Sequence, residues 1–437
     1  MEEASLLDKI SALAKRRGFV FPSAEIYGGT GAVWDFGFLG LLLKDNLKAA
    51  WWKTFVQGRD DIVAVESALL TKKEVLVASG HVAEFADDLV ECKECHSRFR
   101  ADHHVTIEEH KKETGHKDFT DPKKFNLMFK TYLGPVQSED NIAYLRPETA
   151  QGMFTNFSNV LETSRVKIPF GIAQVGKSFR NEITTKSWIF RSREFEIAEI
   201  EYFVRPGEDE ASHKKWIEDW EQFFLGLGID KTKLRRYEHP KASLAHYSKG
   251  TTDLEYEFPF GFSEVAGIAN RTDYDLKQHE ELSGKEMRYF DDVKAEKFVP
   301  YVIEPTLGVE RTFMAVLFDS YREEKDGEET RVYLKLKPSL APFKAAVFPL
   351  LANKEELVKV ARTIYEDLRS EYMVMWDDRG NIGKRYRSQD EIGTPYCITV
   401  DFDSLEDKAV TVRDRDTMKQ ERIRIAELQK FLKDKIS

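Results

Sequence analysis

Residues 174–204 constrain the fold of this chain more than any other segment. They read QVGKSFRNEITTKSWIFRSREFEIAEIEYFV, in which apolar and polar residues alternate up to Phe179, a turn-like ITTKSW follows, and the second arm is rich in Phe, Ile, Tyr and Val. Alternation with period two on both sides of a turn predicts an antiparallel β-hairpin. We therefore expect an antiparallel sheet that contains this hairpin.

The predicted hairpin carries an unusual density of charge. Its charged residues of interest are Arg180, Glu182, Arg191, Arg193 and Glu199. Arg180 and Glu182 are two apart and face one side, whereas Glu199 shares a face with Phe195, Ile197 and Phe203. Guanidinium groups suit bidentate capture of phosphate, and a carboxylate among apolar neighbours favours an ammonium partner. A solvated strand face with surface ion pairs is the alternative, but the charge density favours a phosphate clamp beside an acidic pocket.

Composition narrows the class of protein. At 437 residues the chain is long enough for two or three domains, and 41% hydrophobic residues exclude disorder as its main state. No apolar run approaches the roughly 20 residues of a membrane span, and the start MEEASLLDKI is acidic rather than a basic leader. Three cysteines give no disulfide framework, and a net charge of −10 argues against nonspecific nucleic-acid coating. We expect a cytoplasmic protein with no membrane and no DNA partner.

A second junction is predicted near residue 305. FVPYVIEP, residues 298–305, reads as a buried strand, and the following TLGVERTFMAVLFDSY as a helix with one apolar face. Glu304 is expected to end the strand and Arg311 to lie in the first turn of the helix, both facing a cleft. An arginine at a helix N-terminus is poorly placed for the helix dipole, so a bound anion would account for it.

These segments resemble the class II aminoacyl-tRNA synthetases, and within them the glycyl-tRNA synthetases. FRNE followed by FRSREFEIAEIE resembles motif 2, WDFGFLGLLLKDNL motif 1 and VIEPTLGVER motif 3; YLRPETAQGMF (144–154) and GFSEVAGIANRTDYDLKQHEELSG (261–284) extend the match. The resemblance implies an α+β catalytic domain with a central antiparallel sheet, followed by a C-terminal α/β anticodon-binding domain. It also implies ATP, Mg²⁺, glycine and tRNA(Gly) as ligands and a homodimer joined through motif 1.

Carried over residue by residue, the resemblance implies the chemistry of the cleft. The catalytic residues are Arg180, Glu182 and Arg311. The ATP-binding residues are Arg180, Asn181, Glu182, Phe190, Arg191, Ser192, Arg193, Glu194, Phe195, Glu264, Val265, Gly308, Val309, Glu310 and Arg311. The glycine-binding residues are Arg100, Glu148, Phe195, Glu196, Ile197, Ala198, Glu199, Glu304, Pro305, Thr306, Leu307 and Gly308. Arg180 is expected at the α-phosphate, Arg311 at the γ-phosphate and Mg²⁺ near Glu264.

Domain organisation follows from composition and periodicity. We expect a catalytic domain over 1–335, with insertions at about 92–125 and 204–250, and an anticodon-binding domain over 336–437 in which strands and helices alternate. The 204–250 insertion is predicted helical from the spacing of Trp216, Trp220 and Phe223. A long helix from about Phe38 carries an apolar stripe that is either core or partly intersubunit: Leu39, Leu43, Leu47 and Trp51. Candidate RNA contacts are Lys384, Arg385, Arg387, Arg413, Arg415 and Arg422.

The segment 92–116 contains a possible metal site. Cys92, Cys95, His110 and His116 form C-x2-C-x14-H-x5-H, a spacing compatible with tetrahedral zinc. Phe99 and Val105 would supply a small core, and His103 and His104 are alternative ligands. A cysteine pair without metal, beside loop histidines, is equally open.

The predicted cleft indicates adenylation. Three arginines suit a polyphosphate, and carboxylates suit a small ammonium substrate; no Ser-His or Cys-His nucleophile pair stands out. The main prediction is ATP-dependent attachment of glycine to tRNA(Gly) through a glycyl-adenylate. The alternatives are a class II synthetase for proline, threonine or serine, and a noncatalytic class II-like RNA-binding or polymerase-accessory protein, which would be expected to lose these arginines and glutamates.

Overall fold

Two sheets organise the chain, one in each half. The computed structural model describes residues 5–102, 104–183, 187–245 and 247–436, with the backbone alone for Val105. The helices are α1 (Leu6–Arg17), α2 (Phe38–Trp52), α3 (Lys73–Ala78), α4 (His81–Glu84), α5 (His104–Thr114), α6 (Ala150–Thr155), α7 (Phe157–Ser164), α8 (Asp209–Gly226), α9 (Tyr274–Ser283), α10 (Val309–Ser320), α11 (Glu355–Leu368), α12 (Ile382–Ile392), α13 (Asp403–Asp407) and α14 (Leu428–Ile436).

The strands of the first half are short at the N-terminus and long in the centre. They are β1 (Val20–Pro22), β2 (Trp34–Phe36), β3 (Ile62–Ala64), β4 (Leu70–Lys72), β5 (Ala86–Glu91), β6 (Arg98–Arg100), β7 (Lys123–Asn126), β8 (Phe129–Tyr132), β9 (Ile142–Leu145), β10 (Phe170–Phe179), β11 (Glu194–Val204), β12 (Leu234–Glu238), β13 (Gly250–Phe258), β14 (Gly261–Thr272), β15 (Tyr289–Asp291), β16 (Glu296–Phe298), β17 (Tyr301–Gly308), β18 (Tyr321–Asp326) and β19 (Glu329–Leu334). The second half adds β20 (Ala345–Pro349), β21 (Val374–Trp376), β22 (Tyr396–Val400), β23 (Ala409–Asp414) and β24 (Gln420–Arg424).

The predicted hairpin lies inside a seven-stranded sheet. Its strand order is β12-β13-β14-β17-β11-β10-β3, antiparallel throughout except that β3 runs parallel to β10. β10 and β11 pair in register from Phe170↔Phe203 to Phe179↔Glu194, which confirms the hairpin. Residues 184–186 of the predicted turn lie outside the described residues.

One face of this sheet is covered by helices. Side chains such as Ile200, Ile268 and Ile303 share a core with α2, α8 and α10. Because side chains alternate across a strand, residues 199, 201 and 203 of β11 point the other way, where Phe203 joins a second core with α6 and α7. The site described below lies on this second face.

The long helix of the 204–250 segment is α8, and two short 3-10 helices follow it at Lys231–Lys233 and Lys241–Ser243. The helix predicted from the spacing of Trp216, Trp220 and Phe223 is confirmed, and these side chains are buried in one core with Phe55. The same segment supplies β12, the edge strand of the sheet. Its assignment as an insertion stays a prediction.

The strand before motif 3 does not end at Glu304, contrary to the prediction. β17 continues through Pro305 to Gly308, and α10 begins at Val309, which puts Arg311 in the first turn as predicted. Proline normally ends or edges a strand because it has no N–H. Here the pairing of β17 with β11 is interrupted at residues 304 and 305, and pairing resumes at Glu199↔Thr306.

A β-bulge aims Glu264 at the open face. The register of β14 against β13 changes between Leu254↔Ala266 and Glu255↔Glu264, so that Val265 is the extra residue. Bulges reverse which face the following side chains occupy. Val265 and Ala266 therefore both enter the core, and Glu264 joins the face that carries Gly267 and Ala269.

The second half confirms the predicted alternation of strands and helices. Its five-stranded sheet has the order β21-β20-β22-β23-β24, with β20, β21 and β22 parallel and the β23–β24 hairpin antiparallel. The charged stretch 325–330, which precedes the predicted division at residue 335, forms the tip of the β18–β19 hairpin. Leu336, Leu340 and Phe343 pack into the core of the first half, and the division at residue 335 stays a prediction.

The apolar stripe of α2 is core and not an intersubunit surface. Leu39, Leu43, Leu47 and Trp51 are all buried within the chain. Phe38, Leu41 and Trp52 are the exposed large apolar side chains of this helix. Within the described ranges, none of the helices has the length and apolar character required to span a membrane.

Candidate active site

A cavity of about 390 Å³ opens on the second face of the seven-stranded sheet, opposite α2, α8 and α10. Its floor consists of residues two apart on neighbouring strands, because alternate residues share a face; the bulge on β14 makes one step three residues long. β11 contributes Phe195, Ile197 and Glu199, β17 contributes Glu304, Thr306 and Gly308, and β14 contributes Glu264, Gly267 and Ala269. The alternation of residues along these three strands thus places Glu199, Glu264 and Glu304 on one face of the sheet.

One end of the cavity is rich in arginine. Arg180, Arg191 and Arg311 line it with Glu182 and Phe190. The Arg180 Nε donates to the carbonyl oxygen of Pro147 at 3.1 Å. The Arg180 guanidinium carbon lies 5.3 Å from the ring centre of Phe85 and 5.5 Å from that of Phe195. Two aromatic neighbours and one hydrogen bond hold this cation, and further donors remain for an anionic ligand.

Arg311 reaches the same end from the first turn of α10. Its Nη1 lies 2.8 Å from the Glu264 Oε2, its Nε donates to the Phe190 carbonyl oxygen at 3.3 Å, and its guanidinium carbon is 4.5 Å from the Phe190 ring centre. A Cβ at Gly308 would lie 3.4 Å from the Arg311 Cδ. Gly308 thus lies directly against the Arg311 side chain, which extends over the cavity toward Glu264 on β14.

The opposite end is acidic. The carboxylate oxygens of Glu199, Glu201 and Glu304 lie within 4.8 Å of one another, and all three side chains are buried. Glu199 Oε2 accepts hydrogen bonds from the backbone N–H of Thr149, at 3.1 Å, and from the Thr149 hydroxyl. Burial and the neighbouring Glu148 charge raise the pKa of Glu199, and burial also raises that of Glu304 despite its contact with Arg271. Crowded carboxylates of this kind favour binding of a cation.

A buried arginine, Arg271, lies between Glu304 and Asp275 at the acidic end of the cavity. The Arg271 Nη1 lies 3.0 Å from the Glu304 Oε2, while its Nε and Nη2 each donate to Asp275 at 2.8 Å. Glu148 is close to the His81 Nε2, at 3.3 Å, and accepts from the Gln151 Nε2 at 3.1 Å. Burial opposes ionisation of Glu148, but His81 and Arg271 outweigh it and hold its pKa below the usual range.

Most predicted site residues line the cavity. Those brought together are Glu148, Arg180, Glu182, Phe190, Arg191, Ser192, Phe195, Ile197, Glu199, Glu264, Glu304, Thr306, Gly308, Glu310 and Arg311. Thr306 Oγ1 is buried and has no hydrogen-bond partner among the described residues, so it is available to a ligand.

Several predicted residues face away from the cavity. Ala198, Val265, Leu307 and Val309 belong to the core on the other face of the sheet. Glu196 pairs with Lys44 and Lys48 on that same side. Pro305 is buried and lies between Glu304 and Thr306, which line the cavity. Strand alternation directs these side chains away from the cavity, and the ligand-binding role that the resemblance implies for these residues stays a prediction.

Four further predicted residues have structural partners around the cavity. Arg193 donates to the carbonyl oxygens of Glu182, at 3.2 Å, and Gly31, at 2.8 Å. The Asn181 N–H donates to the Leu127 carbonyl oxygen at 2.7 Å, and Glu194 pairs with Lys177. Arg100 pairs with Asp87 at 3.0 Å and Asp102 at 2.8 Å and is not among the residues that line the cavity.

Sequence reasoning missed several residues that line the cavity or lie beside its acidic end. Arg271 and Asp275 form an R-x3-D pair inside a segment that was matched as a whole, and Glu201 follows Glu199 by two positions on the same strand face. His239 and Asp253 also line the cavity, with the His239 Nε2 2.7 Å from the Asp253 Oδ2. Burial and the nearby Glu264 charge raise the pKa of Asp253 to about 6. The period-two pattern identifies Glu201, but His239 carries no sequence signal of its own.

The cysteine and histidine residues of the 92–116 segment converge. The ligand atoms of Cys92, Cys95, His110 and His116 lie within 4.8 Å of one another, with Cys92 Sγ to His116 Nδ1 at 3.6 Å and Cys95 Sγ to His110 Nε2 at 3.5 Å. Phe99 packs beside them with Cys92. His104 is not part of the group, and His103 and the Val105 side chain lie outside the described residues.

Three predicted RNA contacts are buried in the C-terminal half, so that prediction is wrong for them. Arg385, Arg413 and Arg415 are 2%, 6% and 2% exposed. Arg413 pairs with Asp390, and the other two donate to backbone carbonyl oxygens. Arg387 and Arg422 are more exposed but pair with acidic residues, while Lys384 is exposed.

Comparison with known families agrees with this geometry. Residues 129–321 match the family model described as tRNA synthetase class II core domain (G, H, P, S and T), and residues 344–435 match the model described as Anticodon binding domain. A prolyl-tRNA synthetase from Cryptosporidium parvum, solved with halofuginone and AMPPNP, has the same fold, with a TM-score of 0.68 at 15% identity over 99% of this chain and 78% of that one. The fold and the divided site define a class II aminoacyl-tRNA synthetase.

The relatives narrow the class further. The glycine–tRNA ligase of Thermobifida fusca is 51% identical over 458 aligned positions that cover 100% of this chain and 99% of that protein. The glycine–tRNA ligase of Caldanaerobacter subterraneus is 51% identical over 460 positions, covering 98% of each. The chain belongs to the glycine–tRNA ligase family.

Proposed function

We propose that this chain activates glycine with ATP and transfers it to tRNA(Gly). The observation that carries the proposal is the division of one cavity into an arginine end and a carboxylate end on a single sheet face. The family relatives support this function and give no support to the alternatives, a synthetase for another amino acid or a noncatalytic accessory protein.

In the first step, an oxygen of the glycine carboxylate attacks the α-phosphorus of ATP. The bond between the α- and β-phosphates breaks, pyrophosphate leaves, and glycyl-adenylate forms. Arg180 stabilises the charge that develops at the α-phosphate, and Arg311 binds the γ-phosphate. Glu148, Glu199 and Glu304 bind the glycine ammonium group, which aligns the carboxylate for attack.

Glu264 and Asp253 are the residues that would hold Mg²⁺. Both carboxylates line the cavity, and the Glu264 charge contributes to raising the pKa of Asp253, so a cation between them fits the local charge. When bound, the ion neutralises polyphosphate charge.

In the second step, the 3′-terminal ribose hydroxyl of tRNA attacks the glycyl carbonyl carbon and AMP leaves.

The limited room at the carboxylate end of the cavity selects glycine over larger amino acids. Thr306 carries its methyl group and free hydroxyl at the carboxylate end, where a side chain on the substrate would collide.

We also propose that Cys92, Cys95, His110 and His116 bind one structural zinc ion. Zinc–sulfur and zinc–nitrogen bonds of about 2.3 and 2.0–2.1 Å at tetrahedral angles give S···N separations of roughly 3.5–3.6 Å. Two S···N distances in the group are 3.6 and 3.5 Å. The zinc would fix this small domain and takes no part in adenylation.

Two copies of the chain are proposed to associate through the exposed side of α2. Phe38 and Leu41 are 58% and 48% exposed there, and Ile26 and Tyr27, 87% and 86% exposed, lie in the preceding segment. Exposed apolar groups of this density favour a protein interface. Sedimentation velocity at micromolar concentration should show a dimer, and a monomer would contradict the proposal.

The cytoplasmic location of the protein stays a prediction.

The function is tested by charging a tRNA(Gly) transcript with labelled glycine. Label should accumulate on the tRNA only when ATP is present, and a tRNA(Pro) transcript serves as the matched control. Charging with proline or threonine instead of glycine would contradict the proposal.

A further inference from the structure

Lys44 occupies an unexpected position on α2. It lies within the apolar LLLK run and is only 7% exposed. An unpaired ammonium group buried to this degree would be strongly destabilising. The groups that pair with the Lys44 ammonium therefore show which parts of the fold this residue connects.

Two carboxylates meet at the Lys44 ammonium. Its Nζ lies 2.5 Å from the Glu196 Oε2 on β11 and 2.7 Å from the Glu310 Oε1 on α10. The other Glu310 oxygen accepts the Glu196 backbone N–H at 2.8 Å. Burial acts to lower the pKa of Lys44, but the attraction of Glu310 and Glu196 outweighs it and the pKa is raised. The three groups form a closed set that joins α2, β11 and α10.

This set lies directly beneath the arginine end of the cavity. Glu310 precedes Arg311 in the first turn of α10, so the Glu310 contact fixes the direction from which Arg311 leaves the helix. A second contact supports the same helix: Lys44 Nζ lies 4.1 Å from the Phe36 ring centre, and Phe36 packs edge-on against Phe313 of α10 at 5.3 Å.

We propose that Lys44 is a positioning residue for Arg311, and that it sets the affinity for ATP by holding Glu310 and the first turn of α10. The inference rests on the proposed function, because it presumes that ATP occupies the arginine end. Lys44 does not line the cavity, so it acts on the arginine end through its partners, chiefly Glu310. Lys48 still neutralises Glu196, at 3.2 Å, when Lys44 is changed, so the glycine end should be little affected.

The test compares Lys44→Met with Lys48→Met in the full-length protein. Methionine keeps the length and apolar stem of lysine and removes the charge. ATP affinity is measured by calorimetry, and KM values for ATP and glycine by pyrophosphate exchange. Lys44→Met should weaken ATP binding and raise its KM by about 10-fold, the scale of one charge-assisted hydrogen bond, with the glycine KM changed less than about twofold. Lys48→Met, which removes a contact to Glu196 and none described to Glu310, should leave the ATP KM within about twofold.

Two further variants separate positioning from general loss of structure. Glu310→Gln should reproduce the ATP defect, and Lys44→Met combined with Glu310→Gln should be no worse than Lys44→Met alone, because both remove one interaction. Lys44→Arg should restore part of the ATP affinity. Unchanged ATP binding in a folded Lys44→Met protein, or equal changes in the KM for ATP and glycine, would overturn the inference. Failure of the unmodified protein to exchange with glycine would instead count against the proposed function, because ATP binding is measured without glycine.

Discussion

At the scale of single residues, the two ends of the cavity are distinguished by what already neutralises each charge. Arg180 has one carbonyl partner and two aromatic rings, so no carboxylate among its described contacts competes with a phosphate. Glu199 and Glu304 share one small space, where their mutual repulsion is only partly offset by Arg271. Because these charges are incompletely neutralised within the protein, each end of the cavity favours binding of a ligand group of opposite charge.

Replacing Arg180 by alanine should slow adenylate formation about 10²–10³-fold, because the lost charge acts mainly on the transition state. Glycine-dependent pyrophosphate exchange measures the rate, and the thermal midpoint should change by only a few degrees since Arg180 is half-buried. Lys177→Ala is the matched control, as that exposed cation lies near the end of β10, three residues before Arg180, and pairs with Glu194 outside the cavity. Near-normal exchange in Arg180→Ala would remove it from this role.

Replacing Glu199 by glutamine should raise the KM for glycine about 10- to 100-fold, the range for a hydrogen bond to a charged group. The thermal midpoint should stay or rise, because the pKa of Glu199 is raised by burial and by Glu148, and neutralisation relieves that cost. Glu201→Gln neutralises the next acid on the same strand face and should keep the glycine KM within a few-fold, since Glu201 does not line the cavity. If both variants behave alike, Glu199 has no specific contact with glycine.

At the scale of elements, period-two alternation made the hairpin predictable, and the two exceptions to simple strand rules were not predictable. Glu304 was expected to end its strand, but β17 continues through Pro305 at a break in pairing with β11. Val265 was placed in the site by resemblance, whereas the bulge buries it and exposes Glu264. Both exceptions depend on pairing with a neighbouring strand, which cannot be predicted from the local sequence.

Purified protein should contain about one zinc ion per chain, as the tetrahedral Cys₂His₂ group requires. Cys92→Ser should lose the metal and make residues 92–116 sensitive to protease, because the small core around Cys92 and Phe99 depends on it. The third cysteine supplies the control: Cys397 is buried in the C-terminal sheet, and Cys397→Ser should leave the metal content unchanged. Elemental analysis gives the answer, and full metal content in Cys92→Ser would contradict the site.

At the scale of the whole molecule, buried charge joins the two halves. Asp390 on α12 accepts from the Arg331 Nε of β19 at 2.8 Å and from the Arg413 Nη1 of β23 at 2.9 Å, and each of the three side chains is at most 6% exposed. Arg413 was predicted to contact RNA because the sequence shows charge and does not show burial. The fold class and domain order were predictable from alternating strands and helices, but which arginines face solvent depends on how the halves pack.

Asp390→Asn should lower the free energy of unfolding by about 3–5 kcal/mol, because two buried guanidinium groups lose their counter-charge. Asp407→Asn breaks a more exposed pair with Arg422 in the same half and should cost less than about 1 kcal/mol. Urea denaturation of the full chain, followed by fluorescence, compares the two. Equal effects would show that the contact between the halves is no stronger than a surface pair.

The central claim is that the carboxylate end of the cavity selects glycine for activation at the arginine end. Pyrophosphate exchange with ATP, measured separately with glycine, alanine, serine, proline and threonine, tests it most directly because it needs no tRNA. We predict exchange with glycine and none above background with the other four. Exchange driven by another amino acid and not by glycine would contradict the account.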